Sequence, residues 1–211
     1  MIENMVYKNF ILRSVISFLF LFIYIIINSI NFNYIFFLIL IIYLLVIYET
    51  LIYFKKYKLL PIIYVIISII FFLNIDFKNE IYSTFNLFIF SVISFDVFSY
   101  LLGKYLGKNQ LTKISPNKTI EGFVGGFTLS FIFSLIFAYY FGLIININLV
   151  FFIILILFSA LIGDLIESYY KRKNDLKNSS ELIPGHGGVF DRFDSFLFSI
   201  IIYSISIKTI L

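Results

Sequence analysis

The chain has no cysteine, a single histidine and few charged residues. Without cysteine, disulfide bonds, thiolate nucleophiles and thiolate-bound metals are excluded, so any metal ligand is an oxygen atom or the one imidazole. Charged residues make up 13% of the 211 residues, against roughly a quarter in soluble proteins. Hydrophobic residues make up 61%. This composition excludes an ordinary soluble domain and indicates an integral membrane protein.

Proline and glycine are also scarce, with three and ten copies. Nine of the ten glycines lie in two stretches, 103–126 and 163–188. Because glycine permits tight turns and close approach of the backbone, these stretches are where we expect the chain to turn or to contact something closely. We find no internal repeat and no linker, so residues 1–211 are interpreted as a single transmembrane domain.

Apolar runs of about 20 residues, the length that crosses a hydrocarbon core about 30 Å thick, recur along the whole chain. They predict an all-α, polytopic membrane helix bundle with about seven transmembrane helices. The first run is too long for the apolar region of a signal peptide and is interpreted as a retained span. The predicted helices are Phe10–Ile30, Tyr34–Phe54, Leu59–Ile75, Ile81–Leu102, Ile120–Ile145, Leu149–Glu167 and Arg192–Ile210.

Lysine and arginine are distributed unequally between the two ends of this bundle. Fourteen of the sixteen fall on one side, and only Lys78 and Lys208 fall on the other. Cytoplasmic loops of membrane proteins carry such an excess, so the N-terminus is predicted to be cytoplasmic and the C-terminus external. We expect the chain to lie in the inner (plasma) membrane. Two polar, motif-bearing loops, residues 103–119 and 168–191, then face the cytoplasm together.

The first polar loop has the features of a phosphate-binding segment. Ser115 and Pro116 are a favourable N-cap and first helical residue, so a helix is expected to begin there. Free N–H groups at that end would attract an anion, with Lys113 and Lys118 beside it. The alternative is that the lysines are ordinary cytoplasmic surface residues.

Three acidic residues lie near or within predicted spans. Charged groups in a span are costly and usually face a polar cavity, which favours a functional role for Asp96 and Glu121. Glu49, near the cytoplasmic end of its helix, is expected to reach the membrane interface. The neighbouring glycines are interpreted as small residues that let two membrane helices pack closely. They are Gly122, Gly125 and Gly126.

The second polar segment places reactive side chains on one helix face. Asp164, Ser168 and Lys171 have i, i+4, i+7 spacing, and Glu167 and Lys171 form an i, i+4 pair. Asp191 then lies at the start of the last predicted helix. We therefore expect two helix ends to present carboxylates at the same edge of the membrane.

Asp191 and Asp194 allow two interpretations. Acidic residues at a helix N-terminus interact favourably with the helix dipole, which explains one carboxylate well and two with Arg192 between them less well. Alternatively, these carboxylates and Asp164, which lies on the preceding helix, form an all-oxygen ligand set. Such a set suits magnesium and could hold one or two cations. His186 is compatible with a general base, a hydrogen bond within its glycine-rich loop or a phosphate contact.

These two segments resemble the signature of the phosphatidate cytidylyltransferases, the CDP-diacylglycerol synthases. The Ser-Pro-x-Lys-Thr-x-Glu-Gly run at residues 115–122 is similar to that family's cytoplasmic loop. The resemblance covers about the C-terminal half, and the chain is shorter than typical members. The downstream match is carried by Ser168, Lys171, Arg172, Lys177, Pro184, His186, Gly187, Gly188, Asp191, Arg192 and Asp194.

The resemblance implies transfer of CMP from CTP to phosphatidic acid, with release of pyrophosphate, by a homodimer embedded in membrane lipid and without a nucleic-acid partner. It implies that Asp164 and Asp191 bind Mg²⁺ and that Ser168 and Lys171 share their site. Asn178 stands where the family commonly has aspartate, which removes one negative charge.

The expected site residues follow from the motifs and this resemblance. The catalytic set is Lys171, Arg172, Asp164 and Asp191. The substrate-binding set is Ser168, Lys118, Ser115, His186, Arg192, Asp194, Glu121 and Asp96.

Other functions fit the sequence less well. A CTP-dependent kinase of a polyprenol or similar lipid alcohol would use comparable motifs but attack the terminal phosphate. A CDP-alcohol phosphotransferase would need closely spaced aspartates in one helix, and a transporter tends to show repeated halves and polar residues in mid-membrane.

Overall fold

The computed structural model describes residues 22–77, 81–183 and 187–209. These residues form seven helices and two isolated β-bridges. The helices are α1 (residues 22–30), α2 (Asn33–Tyr53), α3 (Leu59–Leu73), α4 (Tyr82–Leu106), α5 (Ile120–Tyr140), α6 (Ile147–Lys173) and α7 (Phe190–Thr209). The predicted all-α helix bundle is therefore confirmed.

Within the described residues, four helices are long and apolar enough to cross a membrane, namely α2, α4, α5 and α6. Helix α3 is apolar but has 15 residues, and α7 carries three charged residues within its first five positions. Large hydrophobic side chains point away from the bundle, for example Leu44 on α2 and Ile136 on α5, which are 66% and 53% exposed. Because lipid tails are as apolar as these side chains, the outer surface is that of a multi-pass membrane protein.

Aromatic side chains fill the interior between α2, α4, α6 and α7. Phe85, Phe88, Phe152 and Tyr203 are completely buried. The rings of Phe88 and Tyr203 are 4.8 Å apart between centroids. Aromatic side chains have a large apolar surface, so they close gaps between helices whose other faces contact lipid.

Local capping interactions define several helix ends. Asn146 accepts a hydrogen bond from the Leu149 amide (2.8 Å) and begins α6. Helix α5 ends at Tyr140, before the predicted Ile145, because Gly142 has a φ of +69° and Leu143 N–H donates to the Ala138 carbonyl (2.9 Å). Helices α4 and α6 extend into the two predicted polar loops.

The predicted helix start at Ser115 and Pro116 is wrong. Helix α5 begins at Ile120, and its N-cap is Thr119, whose hydroxyl accepts a hydrogen bond from the Gly122 amide (3.1 Å). Upstream, the amides of Leu111 and Ile120 donate to the carbonyls of Lys118 and Asn109. These two backbone hydrogen bonds hold the chain in an extended conformation at Thr119, so the helix cannot begin earlier.

Helices α4 and α5 are in backbone contact along their glycines. A Cβ atom at Gly122 would lie 2.8 Å from both the Gly103 Cα and the Ser99 carbonyl oxygen. At Gly126 it would lie 2.7 Å from the backbone of Ser99. The interpretation of these glycines as close-packing residues is confirmed.

The connections α2–α3, α4–α5 and α6–α7 meet at one end of the bundle. The Asn174 side chain accepts hydrogen bonds from the Lys56 and Tyr57 amides, at 3.0 Å each. Arg172 donates to the Ile114 carbonyl (3.4 Å). The two motif segments are therefore neighbours, as the sequence predicts. We call the end of the bundle formed by these three connections the polar end.

The close contact of α4 and α5 generates a prediction for two adjacent glycines. Gly126→Ala should lower the stability of the bundle by about 1–3 kcal/mol, because the new methyl group meets the Ser99 backbone, which cannot move alone. Gly125→Ala is the matched control, since its nearest neighbour is the flexible end of Leu102. Thermal unfolding in detergent should show a lower midpoint for the first variant only. Equal midpoints for both variants would contradict this account of the interface.

Candidate functional site

Helices α6 and α7 come into backbone contact at Gly163. A Cβ atom there would lie 2.5 Å from the Asp194 carbonyl oxygen and 3.1 Å from that of Ser195. No side chain fits between the two helices at this level. Because Asp164 follows Gly163 on α6, the contact brings its carboxylate close to that of Asp194.

Three carboxylates gather at this contact, and we call them the acidic group. One oxygen each of Asp164, Glu167 and Asp194 lies within 4.8 Å of the others. Glu167 is completely buried, and its Oε1 has no hydrogen-bond partner among the described residues. A buried carboxylate needs a cation nearby.

Lys171 supplies one such cation. Its ammonium nitrogen lies 2.6 Å from Glu167 Oε2 and 2.6 Å from Asp191 Oδ1. Its side chain is 12% exposed. The predicted Glu167–Lys171 pair is therefore confirmed, and the same lysine joins α6 to α7.

Asp191 is held by both main chain and side chain. Oδ1 accepts a hydrogen bond from Lys171, and Oδ2 accepts from the amides of Ser179 and Gly188, both at 2.9 Å. These hydrogen bonds hold the backbone at Ser179 and Gly188, before α7, against the first turn of the helix. Asp191 is thus linked to the acidic group through Lys171, whereas Asp164 is a member of it.

Residues of the first motif segment and of α4 also reach this site. Lys118 forms an ion pair with Asp164. Asp96, on α4, accepts a hydrogen bond from the Ser195 hydroxyl (2.8 Å) and lies close enough to Asp164, Lys118 and Arg192 for electrostatic interaction. The structure therefore joins Asp96 and Lys118, which are distant in sequence, to the acidic group.

Among the described residues, carboxylates outnumber cationic side chains around the acidic group. Five carboxylates interact with one another and with three cationic side chains. The carboxylates are those of Asp96, Asp164, Glu167, Asp191 and Asp194, and the cationic residues are Lys118, Lys171 and Arg192. The carboxylates thus outnumber the cationic side chains by two in this count. An added cation would lower the repulsion among them.

The donor chemistry of the acidic group fits a hard divalent cation. The acidic group offers carboxylate oxygens from two helices, and Glu167 Oε1 has no hydrogen-bond partner among the described residues. Magnesium prefers oxygen ligands. The acidic group could therefore hold a metal ion.

Glu121 and Arg172 contact the first polar loop. Glu121 accepts hydrogen bonds from the Lys108 and Asn109 amides, at 3.0 and 3.2 Å, so its carboxylate fastens the end of α4 to the start of α5. Arg172 donates to the carbonyls of Ile114 and Leu176. Both side chains shape the loops beside the acidic group.

The remaining predicted site residues have different positions. Ser168 is buried on α6 next to Glu167, Ser115 lies in the α4–α5 loop, and Arg192 is exposed at the start of α7. His186 lies outside the described residues, so its expected contacts stay predictions. Glu167 was predicted only as the partner of Lys171, although its i, i+3 spacing from Asp164 indicates a shared helix face.

Lys171→Met should destabilise the protein because it leaves Glu167 and Asp191 without their shared cation. Removing one partner of a buried ion pair costs about 3–5 kcal/mol. The unfolding midpoint in detergent should fall for this variant and recover in part when Glu167→Gln is added. The exposed Lys104→Met serves as the control. An unchanged midpoint for Lys171→Met would show that Lys171 does not hold the site together.

The chain matches one family model over almost its whole length and individual relatives over about half of it. The Cytidylyltransferase family model matches residues 2–210. Proteins named phosphatidate cytidylyltransferase from Bacillus subtilis (strain 168) and Staphylococcus aureus (strain COL) are 43% and 46% identical to this chain over 109 and 106 residues. One from Staphylococcus saprophyticus is 43% identical over 106 residues.

The alignments with these relatives are partial on both sides. They cover 50% of this chain for the first protein and 49% for the other two. The chain covers 40% of the length of each relative. The family model, in contrast, extends over almost the whole chain, and the protein therefore belongs to the Cytidylyltransferase family.

Proposed function

We propose that this protein is a phosphatidate cytidylyltransferase, which converts CTP and phosphatidic acid to CDP-diacylglycerol and pyrophosphate. The observation that carries the proposal is the acidic group between α6 and α7, with Lys118 and Lys171 in direct contact with its members. The family membership and the names of the relatives support the same reaction.

The proposed reaction is limited by charge repulsion. A phosphate oxygen of phosphatidic acid attacks the α-phosphorus of CTP, a new P–O bond forms, and the bond to the β-phosphate oxygen breaks to release pyrophosphate. A phosphate monoester carries about −1.5 to −2 charges at pH 7, so this nucleophile needs no strong base. The protein must instead bring two polyanions together.

The cationic side chains of the polar end suit that task. Lys118 and Lys171 contact members of the acidic group, and Arg172 and Arg192 are exposed on α6 and α7 at the same end of the bundle. We assign to them the binding of the triphosphate and of the phosphatidic acid head group. Their charges lower the repulsion between the two substrates before reaction.

Asp164 is the proposed metal ligand that both the motif and the structure support. Glu167 and Asp194 complete the acidic group, and Asp191, the second ligand predicted from sequence, is linked to it through Lys171. Bound Mg²⁺ would supply positive charge against the phosphates and the leaving pyrophosphate. The carboxylates of the acidic group would hold that charge in place.

The membrane surface explains why the site lies at a helix end. The acyl chains of phosphatidic acid stay in the bilayer, while the head group reaches the polar end. From the distribution of lysine and arginine, we propose that this end faces the cytoplasm from the inner membrane, where CTP is available. The family resemblance also supports a homodimer as the proposed assembly.

Purified protein in lipid, supplied with CTP, phosphatidic acid and magnesium, should form CDP-diacylglycerol and pyrophosphate in equal amounts. The measurement is mass identification of the lipid product together with a pyrophosphate assay. Release of CDP with phosphorylation of an added lipid alcohol would instead identify the kinase alternative. Heat-denatured protein is the control for contaminating phosphatases.

A series of carboxylate variants should identify the metal ligands. We expect Asp164→Asn and Asp191→Asn to reduce turnover by about a hundredfold or more with little loss of folded protein. Whichever of Asp191→Asn and Asp194→Asn raises the magnesium concentration needed for thermal stabilisation marks the second ligand. Asp175→Asn is the control, since Asp175 is 71% exposed and pairs with Lys56. Near-normal turnover of Asp191→Asn would remove Asp191 from the site.

A further inference from the structure

Glu49 is a carboxylate on the membrane-spanning helix α2 that is completely buried. The expectation that it reaches the membrane interface is therefore wrong. Charged groups within spans are costly and are retained where they have polar partners or a function. The polar partner of Glu49 is the N-terminus of α7.

Glu49 contacts the N-terminus of α7 from another helix. Its Oε2 accepts a hydrogen bond of 3.0 Å from the amide of Phe190, the first residue of α7 and 141 positions later in the chain. The first N–H groups of a helix have no partner within the helix, and a negative charge at that end is favourable. Glu49 therefore caps α7 from α2.

The second oxygen of Glu49 faces the chain just before α7. A Cβ atom at Gly188 would lie 1.7 Å from Glu49 Oε1 and 2.1 Å from the Ser179 hydroxyl oxygen, so only glycine fits there. The Gly188 amide in turn donates to Asp191 Oδ2 (2.9 Å). Glu49 and Asp191 thus hold the same short segment at the start of α7.

We propose that Glu49 is a positioning residue for the reaction, a role that rests on the proposed function. By fixing where α7 begins, its carboxylate places Asp191 beside Lys171 and Asp194 beside Asp164. Glu49 acts through the backbone of Phe190 and Gly188 and does not touch the acidic group. A small displacement of α7 would separate the carboxylates, and displacements of about 1 Å can cost a hundredfold in rate.

Two conservative variants separate the reach of this side chain from its charge. Glu49→Gln keeps an oxygen acceptor at the same distance and loses the charge, whereas Glu49→Asp keeps the charge but is one methylene group too short for Phe190. We expect kcat to fall about ten- to a hundredfold in Glu49→Asp and by less than about threefold in Glu49→Gln. The KM for CTP should change by less than about threefold in Glu49→Gln and should rise in Glu49→Asp, because Arg192, a proposed triphosphate-binding residue, moves with α7.

Hydrogen–deuterium exchange provides a readout that needs no substrate. In protein reconstituted in lipid, the peptide spanning residues 187–193 should exchange about tenfold faster in Glu49→Asp and at the wild-type rate in Glu49→Gln. Tyr43→Phe is the matched control. It removes a buried hydrogen bond from the same helix to Ser68 on α3 (2.6 Å), and it should lower the unfolding midpoint without affecting this peptide.

Three results would overturn the proposal. The first is wild-type exchange and turnover in Glu49→Asp. The second is faster exchange of the 187–193 peptide in Glu49→Asp with unchanged turnover. The third is a greater loss of turnover in Glu49→Gln than in Glu49→Asp. The last would show that charge matters and reach does not. Absence of CDP-diacylglycerol with the wild-type protein would count against the proposed function alone, since the exchange pattern reports the placement of α7 independently.

Discussion

The close contact of α6 and α7 at Gly163 is the constraint on which the candidate site depends. A side chain at this position would collide with the Asp194 backbone. With glycine there, the carboxylates of Asp164, Glu167 and Asp194 come within 4.8 Å of one another. Their mutual repulsion is unfavourable by itself, so the contact is stable only because cationic side chains surround it and the apolar helices pack around it.

The electrostatics of the site connect the composition of the chain with its proposed chemistry. In a protein with 13% charged residues, five carboxylates and three cationic groups interact within one region of the polar end. Lys171 and Lys118 contact carboxylates on α6 and α7, and among the described residues of this region the carboxylates outnumber the cationic side chains. Low polarity around the helices strengthens each of these interactions relative to water.

Connections between distant segments give the polar end its shape. Asn174 fastens the α2–α3 connection to the end of α6, Glu121 fastens the two ends of the α4–α5 loop, and Glu49 caps α7 from α2. Each uses a side-chain oxygen to accept from backbone N–H groups of another segment, and for Glu49 this is the first N–H of α7, which has no partner within the helix. The loops that carry the motifs are therefore tied to the spans, and the positions of their charged groups follow from helix packing.

The sequence alone determined the features that are encoded locally. Apolar runs predicted seven helices, the i, i+4 spacing predicted the Glu167–Lys171 pair, and Gly122, Gly125 and Gly126 predicted close packing of a membrane helix, whose partner α4 the structure shows. The predicted helix start at Ser115 failed because cross-pairing within the loop, a tertiary effect, holds Thr119 extended. Only the tertiary structure decided that Asp194 joins Asp164 and Glu167, that Asp191 pairs with Lys171, and that Glu49 is buried against α7. The physical reason is that periodicity and capping act over a few residues, whereas these contacts depend on how helices far apart in the chain approach one another.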